Sequence, residues 1–340
     1  STLSSEIKKK PFLCPIMILR TLIFFFELLR MSYWVYVVNI LINKPRLRKE
    51  VESIYAKANV PFDPSYFHRI YFHLILSAVI VLWFSTLRGK WLSKKEQKAA
   101  VCLGAATPLY DDLYDELDMD RQEVQEMIQN GSGDKHGIIA ILGMHFYNRL
   151  RPLLPNEERF NVCMENLAKA QEDSKAQAGG ELSETIVREI TYDKGGHSFA
   201  IYRSILGHEW QEGEEDMVYK LGSLIQLTSD IFDLRKDDLN KVQTLVTETE
   251  DINLIREEYL RLIDETIAAT KKLSYNRLAR KRFVMQLRLV TGRGMVCLDQ
   301  LAKAQERHGG FDPAILERSE SVCDMERVDN LLWSFWYALK

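Results

Sequence analysis

The chain of 340 residues is poor in the residues that cross-link, break or electrostatically label a protein. Its five cysteines, Cys14, Cys102, Cys163, Cys297 and Cys323, are scattered, odd in number and without a Cys-x-x-Cys pair. That spacing excludes a zinc site or disulfide framework and points to a reducing, cytoplasmic setting. Only nine prolines and 17 glycines interrupt the chain, leaving long stretches free for helix. A formal net charge of −3 provides no basic footprint, so nucleic acid is not expected as a partner. No repeat or low-complexity tract is present. What remains is an ordinary globular balance, 46% hydrophobic and 27% charged, which excludes wholesale disorder.

Within that balance, carboxylates gather twice at the ends of apolar runs. The first gathering, Asp111-Asp112-Leu113-Tyr114-Asp115-Glu116, closes the run from Ala99 to Leu109. Residues four apart share a helix face, so Asp111 and Asp115 project together, with Asp112 one step round. Carboxylates crowded there repel one another and call for hard cations. Magnesium suits the part, because it takes one or two carboxylates and keeps positions for water and phosphate oxygens. The plainer reading is an exposed acidic helix end. The second gathering runs from Leu224 to Asp238 and places Asp230, Asp233 and Asp237 at i, i+3 and i+7, on one helix face. Two such helices can face each other across a cavity and share metal ions.

Taken in order, the chain opens with a polar stretch holding Lys8-Lys9-Lys10, expected to be a frayed end. Residues 15–42 are strongly apolar but interrupted by Arg20, Glu27 and Arg30. A signal peptide fits poorly, since no small-residue cleavage site follows. The segment reads as a pair of helices packed on the body, in preference to a membrane-surface or homodimer contact. Ile70 to Leu87 carries no formal charge and reads as a central helix buried all round, with His73 a satisfied core histidine. Ser93 and Glu96 form a capping box that opens the next helix, and Pro108 should loosen it ahead of Asp111. Helices follow at 137–153, 156–178, 252–274 and 276–306, with Gly179-Gly180 ending the second of these. Glu184 to Leu206 reads as a helix interrupted at Gly195-Gly196. Its exposed N–H groups, with Lys194, His197 and Arg203 nearby, would suit an anion such as diphosphate. Close helix packing at the two glycines is the alternative.

Together the acidic stretches resemble the trans-prenyl diphosphate synthase and class I terpene synthase superfamily. Asp111, Asp112 and Asp115 fit its Asp-Asp-x-x-Asp motif in full. The second stretch is similar to Phe-Gln-x-x-Asp-Asp-x-x-Asp, keeping Gln226, Asp230 and Asp233 but with Ile225 for Phe and Ser229 for the first Asp. The resemblance is clearest from about Arg88 to Leu245. It implies an all-α fold: a single-domain helical bundle of the isoprenoid synthase type around a central apolar cavity. Residues 61–340 would form this body, with residues 1–60 an N-terminal apolar helical segment packing on it.

The same resemblance implies that Asp111, Asp112, Asp115, Asp230, Asp233 and Asp237 hold about three Mg²⁺, and that a prenyl diphosphate is the substrate. Lys194, Lys241 and Arg235 would bind its diphosphate with charge-assisted bonds. Tyr114 and Phe232, inside the motifs, would present π faces to a carbocation. The small Ala106 and Thr107, one turn before the metals, would floor the cavity. Lys90 follows Gly89, as in the segment that holds isopentenyl diphosphate in elongating enzymes, but Leu92 stands where an Arg is expected. Arg121 is likewise single where those enzymes carry an Arg pair. These departures favour a terpene synthase that ionises one C15 or C20 allylic diphosphate over an elongating synthase. The terpene synthase triad is itself incomplete, because Leu234 replaces its hydroxyl. A non-catalytic subunit of the same fold is the remaining alternative.

Overall fold

Helix signals in the sequence are realised with little waste. In the computed structural model, which describes residues 15–179 and 181–340 with side chains from residue 18, every element is helical and the described residues form no strand. Cys14, the Lys8-Lys9-Lys10 end and Gly180 lie outside the described residues. In chain order the α-helices are α1 (Pro15–Ser32), α2 (Lys44–Lys57), α3 (Pro64–Leu87), α4 (Lys94–Asp115), α5 (Arg121–Asn130), α6 (Gly137–Leu150) and α7 (Glu157–Ser174). They continue as α8 (Glu184–Ser204), α9 (Glu214–Leu239), α10 (Ile252–Lys272), α11 (Arg277–His308), α12 (Arg318–Ser321) and α13 (Val328–Leu339).

Capping residues set the starts that position the site. Asp63 accepts hydrogen bonds from the Ser65 and Tyr66 amides ahead of α3, with Pro64 at its first position. Ser93 and Glu96 exchange side-chain and backbone bonds at the start of α4, satisfying two donors that the helix leaves open. Glu214, Glu215 and Asp216 place negative charge at the positive end of α9. α4 runs unbroken through Pro108, contrary to the loosening expected there, and delivers Asp111 to its last turn.

α3 is buried over most of its C-terminal half, not all round as expected: Phe72 and Leu76 stand exposed. It packs against α4, α8 and α11 and buries Ile70, Leu74, Leu82 and Phe84 almost completely. α4 packs against α3 on one side and α6 on another, while α8 lies between α7 and α9. One large apolar core runs from α3 through α8 and α9 to α11.

The N-terminal segment differs from expectation. α1 and α2 are joined without a turn by a π-helical stretch, Tyr33–Asn43, into one rod. Only one side of that rod is buried: Phe24, Glu27, Trp34 and Asn39, with Leu47, Val51, Ile54 and Tyr55 of α2, face the body, while Leu22, Phe25, Leu29, Tyr33, Tyr36 and Leu41 face outward. Glu27, wholly buried, accepts from Arg30, Arg282 and Gln286, which ties α1 to α11.

α8 also departs from its expected form, being continuous through Gly195 and Gly196. The two glycines instead allow contact with α9. A Cβ on Gly195 would collide with the carbonyl of Gly222, and one on Gly196 with the ring of Tyr219. Backbone lies against backbone at this crossing, so no bundle of free N–H groups is presented there.

Candidate active site

A cavity of about 690 Å³ lies inside the bundle, within the size range of small-molecule sites. Its walls are mostly apolar and aromatic, with Trp83, Leu103, Phe160, Leu167 and Phe199 among them. Polar groups gather where α4, α7, α8 and α9 approach one another: Asp111, Gln171, Lys194, Gln226 and Ser229. Gln171 donates to Asp111, and Gln226 donates to Asp230 at 2.9 Å.

Burial and mutual repulsion shape the electrostatics of this end. The Asp111 carboxyl is pushed up to about 6, chiefly by burial; Lys194 opposes the rise, and Asp115 and Asp112 add to it. Asp230 is buried and rises to about 7, its hydrogen bond from Gln226 offsetting part of the cost while Asp237 adds repulsion. Asp237 rises to about 6, by burial and then by Asp233. Lys194 acts on all three carboxylates. It therefore sits between the two acidic stretches, as a shared counter-charge.

Asp112 faces elsewhere. It is wholly buried against α3, where it accepts from Tyr66 at 2.5 Å and pairs with Arg69 at 2.5 Å. The step of about 100° from Asp111 that one residue makes on a helix turns it out of the cavity. Asp115 is exposed at the end of α4, and Asp233 is exposed on α9 beside Lys236 at 3.9 Å. Among the described residues, no three His, Cys, Asp or Glu side chains converge closely enough to enclose an ion. The donor set is all oxygen and its negative charge is under-compensated. That fits a hydrated hard cation such as Mg²⁺, which needs only one or two carboxylates per ion.

Ala106 and Thr107 line the cavity, and Thr107 shares a hydrogen bond of 2.8 Å with the buried Tyr202. Several other expected residues are not brought to it. Lys90 is exposed beyond the far end of α4, and the 18 helical residues from Lys94 to Asp111 separate it from the carboxylates by roughly 27 Å of helix. Its neighbour Arg88 serves the fold instead, gripping Glu96 at 2.5 and 2.7 Å. Arg203 is wholly buried and paired with Glu214 at 2.6 Å, joining the end of α8 to the start of α9. Arg121 pairs with Glu165 on α7 at 2.5 Å.

The motif aromatics also point away. Tyr114 packs with Met119, Val124 and Met127, and Phe232 packs on the main core. It is Tyr110, one turn before Tyr114, that lines the cavity. Arg235 stands about 200° round α9 from Asp233, on the opposite side of the helix. Lys241 is exposed in a left-handed conformation, φ 56°, just beyond Asp237. Its loop is fastened by a single antiparallel bridge between Ala178 and Val242, and Gln177 donates to the Gln243 carbonyl at 2.7 Å.

Three cavity residues carry no signal in the sequence: Gln171, Tyr202 and Arg293. No motif marks them; each falls on an ordinary amphipathic helix. His73 is not the satisfied core residue expected. It lines the cavity without a hydrogen-bond partner among the described residues, and burial lowers its pKa to about 4, so it is neutral.

No known family's sequence profile matches this chain, and no curated protein matches it. Among solved structures, it is similar to a geranyltranstransferase from Thermotoga maritima, at 16% identity over 78% of this chain and 99% of that one, with a TM-score of 0.43.

Proposed function

We propose that this chain is a class I terpene synthase acting on one linear allylic prenyl diphosphate, of 15 or 20 carbons. The observation that carries the reading is a mostly apolar cavity with a polar cluster where α4, α7, α8 and α9 approach one another, in which Lys194 is the counter-charge to two sets of carboxylates. Asp111 and Asp115 on α4, with Asp230, Asp233 and Asp237 on α9, would hold magnesium, which supplies Lewis-acid neutralisation of a leaving diphosphate. Lys194 adds a charge-assisted bond to a diphosphate oxygen. The allylic C–O bond breaks with its electron pair leaving on the diphosphate, and the cation stays in the cavity.

Apolar walls exclude the water that would quench that cation, and Trp83, Phe199 and Tyr110 offer it π faces. Neutral His73 can take up a proton when the cation eliminates. Condensation with isopentenyl diphosphate would need a second cationic pocket beside the first. Lys90, Arg121 and Arg203, the residues the sequence offered for one, are respectively distant, paired and buried; this supports the one-diphosphate reading, and Arg293 is left as the cavity-lining cation that an elongating reading would have to use.

The test is to incubate purified protein and Mg²⁺ with geranyl, farnesyl or geranylgeranyl diphosphate, with and without isopentenyl diphosphate. Products are identified by gas chromatography and pyrophosphate is assayed. A hydrocarbon or terpene alcohol from one allylic diphosphate alone is the expected result. Consumption of isopentenyl diphosphate with accumulation of a longer diphosphate would make the chain an elongating synthase. Absence of pyrophosphate release would leave a non-catalytic bundle.

A further inference from the structure

The outward side of the N-terminal rod is apolar through α1 and the π-helical stretch. Leu22, Phe25, Phe26, Leu29, Tyr33 and Tyr36 are all more than half exposed, Leu29 at 70%. Their spacing of three, one, three, four and three residues keeps them on one helix face. α13 lies alongside and continues the surface. Phe335 meets Phe24 edge-on at 5.3 Å, and the Arg20 guanidinium donates to the Lys340 carbonyl at 3.0 Å. On α13, Leu332, Trp333 and Trp336 face outward, with the Lys340 ammonium 4.9 Å over the Trp336 ring. Single exposed apolar residues are ordinary, but a stripe of this length is not.

Charge identifies the occupant. From residue 15 to residue 49 the sole carboxylate is Glu27, which is wholly buried and already paired. The same stretch holds Arg20, Lys44, Arg46 and Lys49, besides Arg30 paired with Glu27 and Arg48 paired with Glu52. An apolar stripe with aromatic edges and a cationic border matches the interface of an anionic bilayer. A second copy of the chain would bring the same cations, and two such borders repel each other. The cavity also reaches this face: Tyr36, Phe72 and Leu76 both line it and stand exposed.

We infer that α1, the π-helical stretch and α13 dock the protein flat on an anionic lipid surface, with the cavity mouth against the acyl region. Glu27, Arg30 and the cations paired with the body prevent the rod from spanning the bilayer as a free helix. Docking holds whatever the reaction is. Only its use rests on the proposed function: an isoprenoid chain would then pass between bilayer and cavity without crossing water.

The experiment is flotation of the purified full chain with vesicles of phosphatidylcholine alone or with added phosphatidylglycerol, alongside sedimentation velocity without lipid. The variants are Leu22→Glu with Leu29→Glu, and separately Arg46→Gln with Arg48→Gln. Wild type should float with the anionic vesicles and less so as salt is raised. The double Glu variant should partition about a hundredfold less, the loss of two buried leucines, with an unchanged circular dichroism spectrum because both positions are exposed. The Arg variant should lose its preference for anionic over neutral lipid. Failure of wild type to float, or equal flotation of the double Glu variant, overturns the inference. So does a lipid-free dimer that the double Glu variant dissociates in a protein that does not float, which would make the face a contact between copies. None of these readouts uses catalysis, so they stand or fall apart from the terpene synthase reading.

Discussion

Replacing Asp230 by Asn tests whether the acidic face of α9 is held under electrostatic tension when no cation is present. Asp230 is 6% exposed, and its carboxyl is pushed up to about 7, first by burial and then by Asp237 and Asp233. Against a normal value of 3.8 that corresponds to a cost of ~4 kcal/mol to the charged folded form. The sign follows from proton binding. Between about pH 4 and 7 the folded chain holds a proton that the unfolded chain has released, so stability falls as pH rises through that window. Asn cannot ionise, yet it still accepts from Gln226. Metal-free Asp230→Asn should therefore melt close to wild type at pH 4, diverge from it as pH rises, and melt clearly above it at pH 8. The ceiling for a chain of 340 residues is roughly 5 °C. Differential scanning fluorimetry in EDTA across that range measures it. Adding Mg²⁺ at pH 8 should raise the wild-type melting temperature and leave the variant nearly unmoved. A variant that melts lower at pH 8, or is offset equally at every pH, would refute the reasoning.

Other consequences can be checked separately. Asp111→Asn should abolish pyrophosphate release, whereas Asp112→Asn, which removes a charge held by Tyr66 and Arg69, should retain most of it in the same assay. Arg203→Met should destabilise the fold by about 3–5 kcal/mol in urea titration, because it strands the buried Glu214. Ala106→Phe should lose activity on a 20-carbon diphosphate before a 15-carbon one in single-substrate kinetics, with overpacking costing about 1–3 kcal/mol. His73→Phe should leave pyrophosphate release near normal while shifting the product mixture, read by gas chromatography.

The fold was legible where local physics decides it. Capping boxes, helix-breaking residues and the fully apolar run of α3 announce their elements in one dimension, and α3, α4, α10 and α11 begin or end close to where those signals lie. Periodicity likewise put Asp230, Asp233 and Asp237 on one face. What it could not supply was the rotation of each helix about its axis relative to its neighbours. Asp112 and Tyr114 sit in a motif beside Asp111, yet one and three residue steps turn them into α3 and α5. Arg203 looked like a free cation near a glycine pair, and only the packing of α8 on α9 reveals Glu214 opposite it. His73 was hidden for the converse reason: in an apolar run, a wall of a cavity and the middle of a core have the same composition.

The contact of Gly195 with Gly222 limits how this bundle can diversify. With no side chain between them, α8 and α9 touch as bare backbone, and even a methyl group on either glycine would meet the opposite helix. Neither helix can slide along the other by a residue without losing that fit. Lys194, next to one glycine, is thereby locked in register with Gln226 and Asp230, one and two turns beyond the other. Redesign of the apolar walls has more room on α3, α4 and α7, away from Gly104, where a Cβ would meet Ser77 and the Leu74 backbone of α3. The crossing of α8 and α9 is the fixed axle about which such variation turns, and directed evolution of the cavity should leave both glycines untouched.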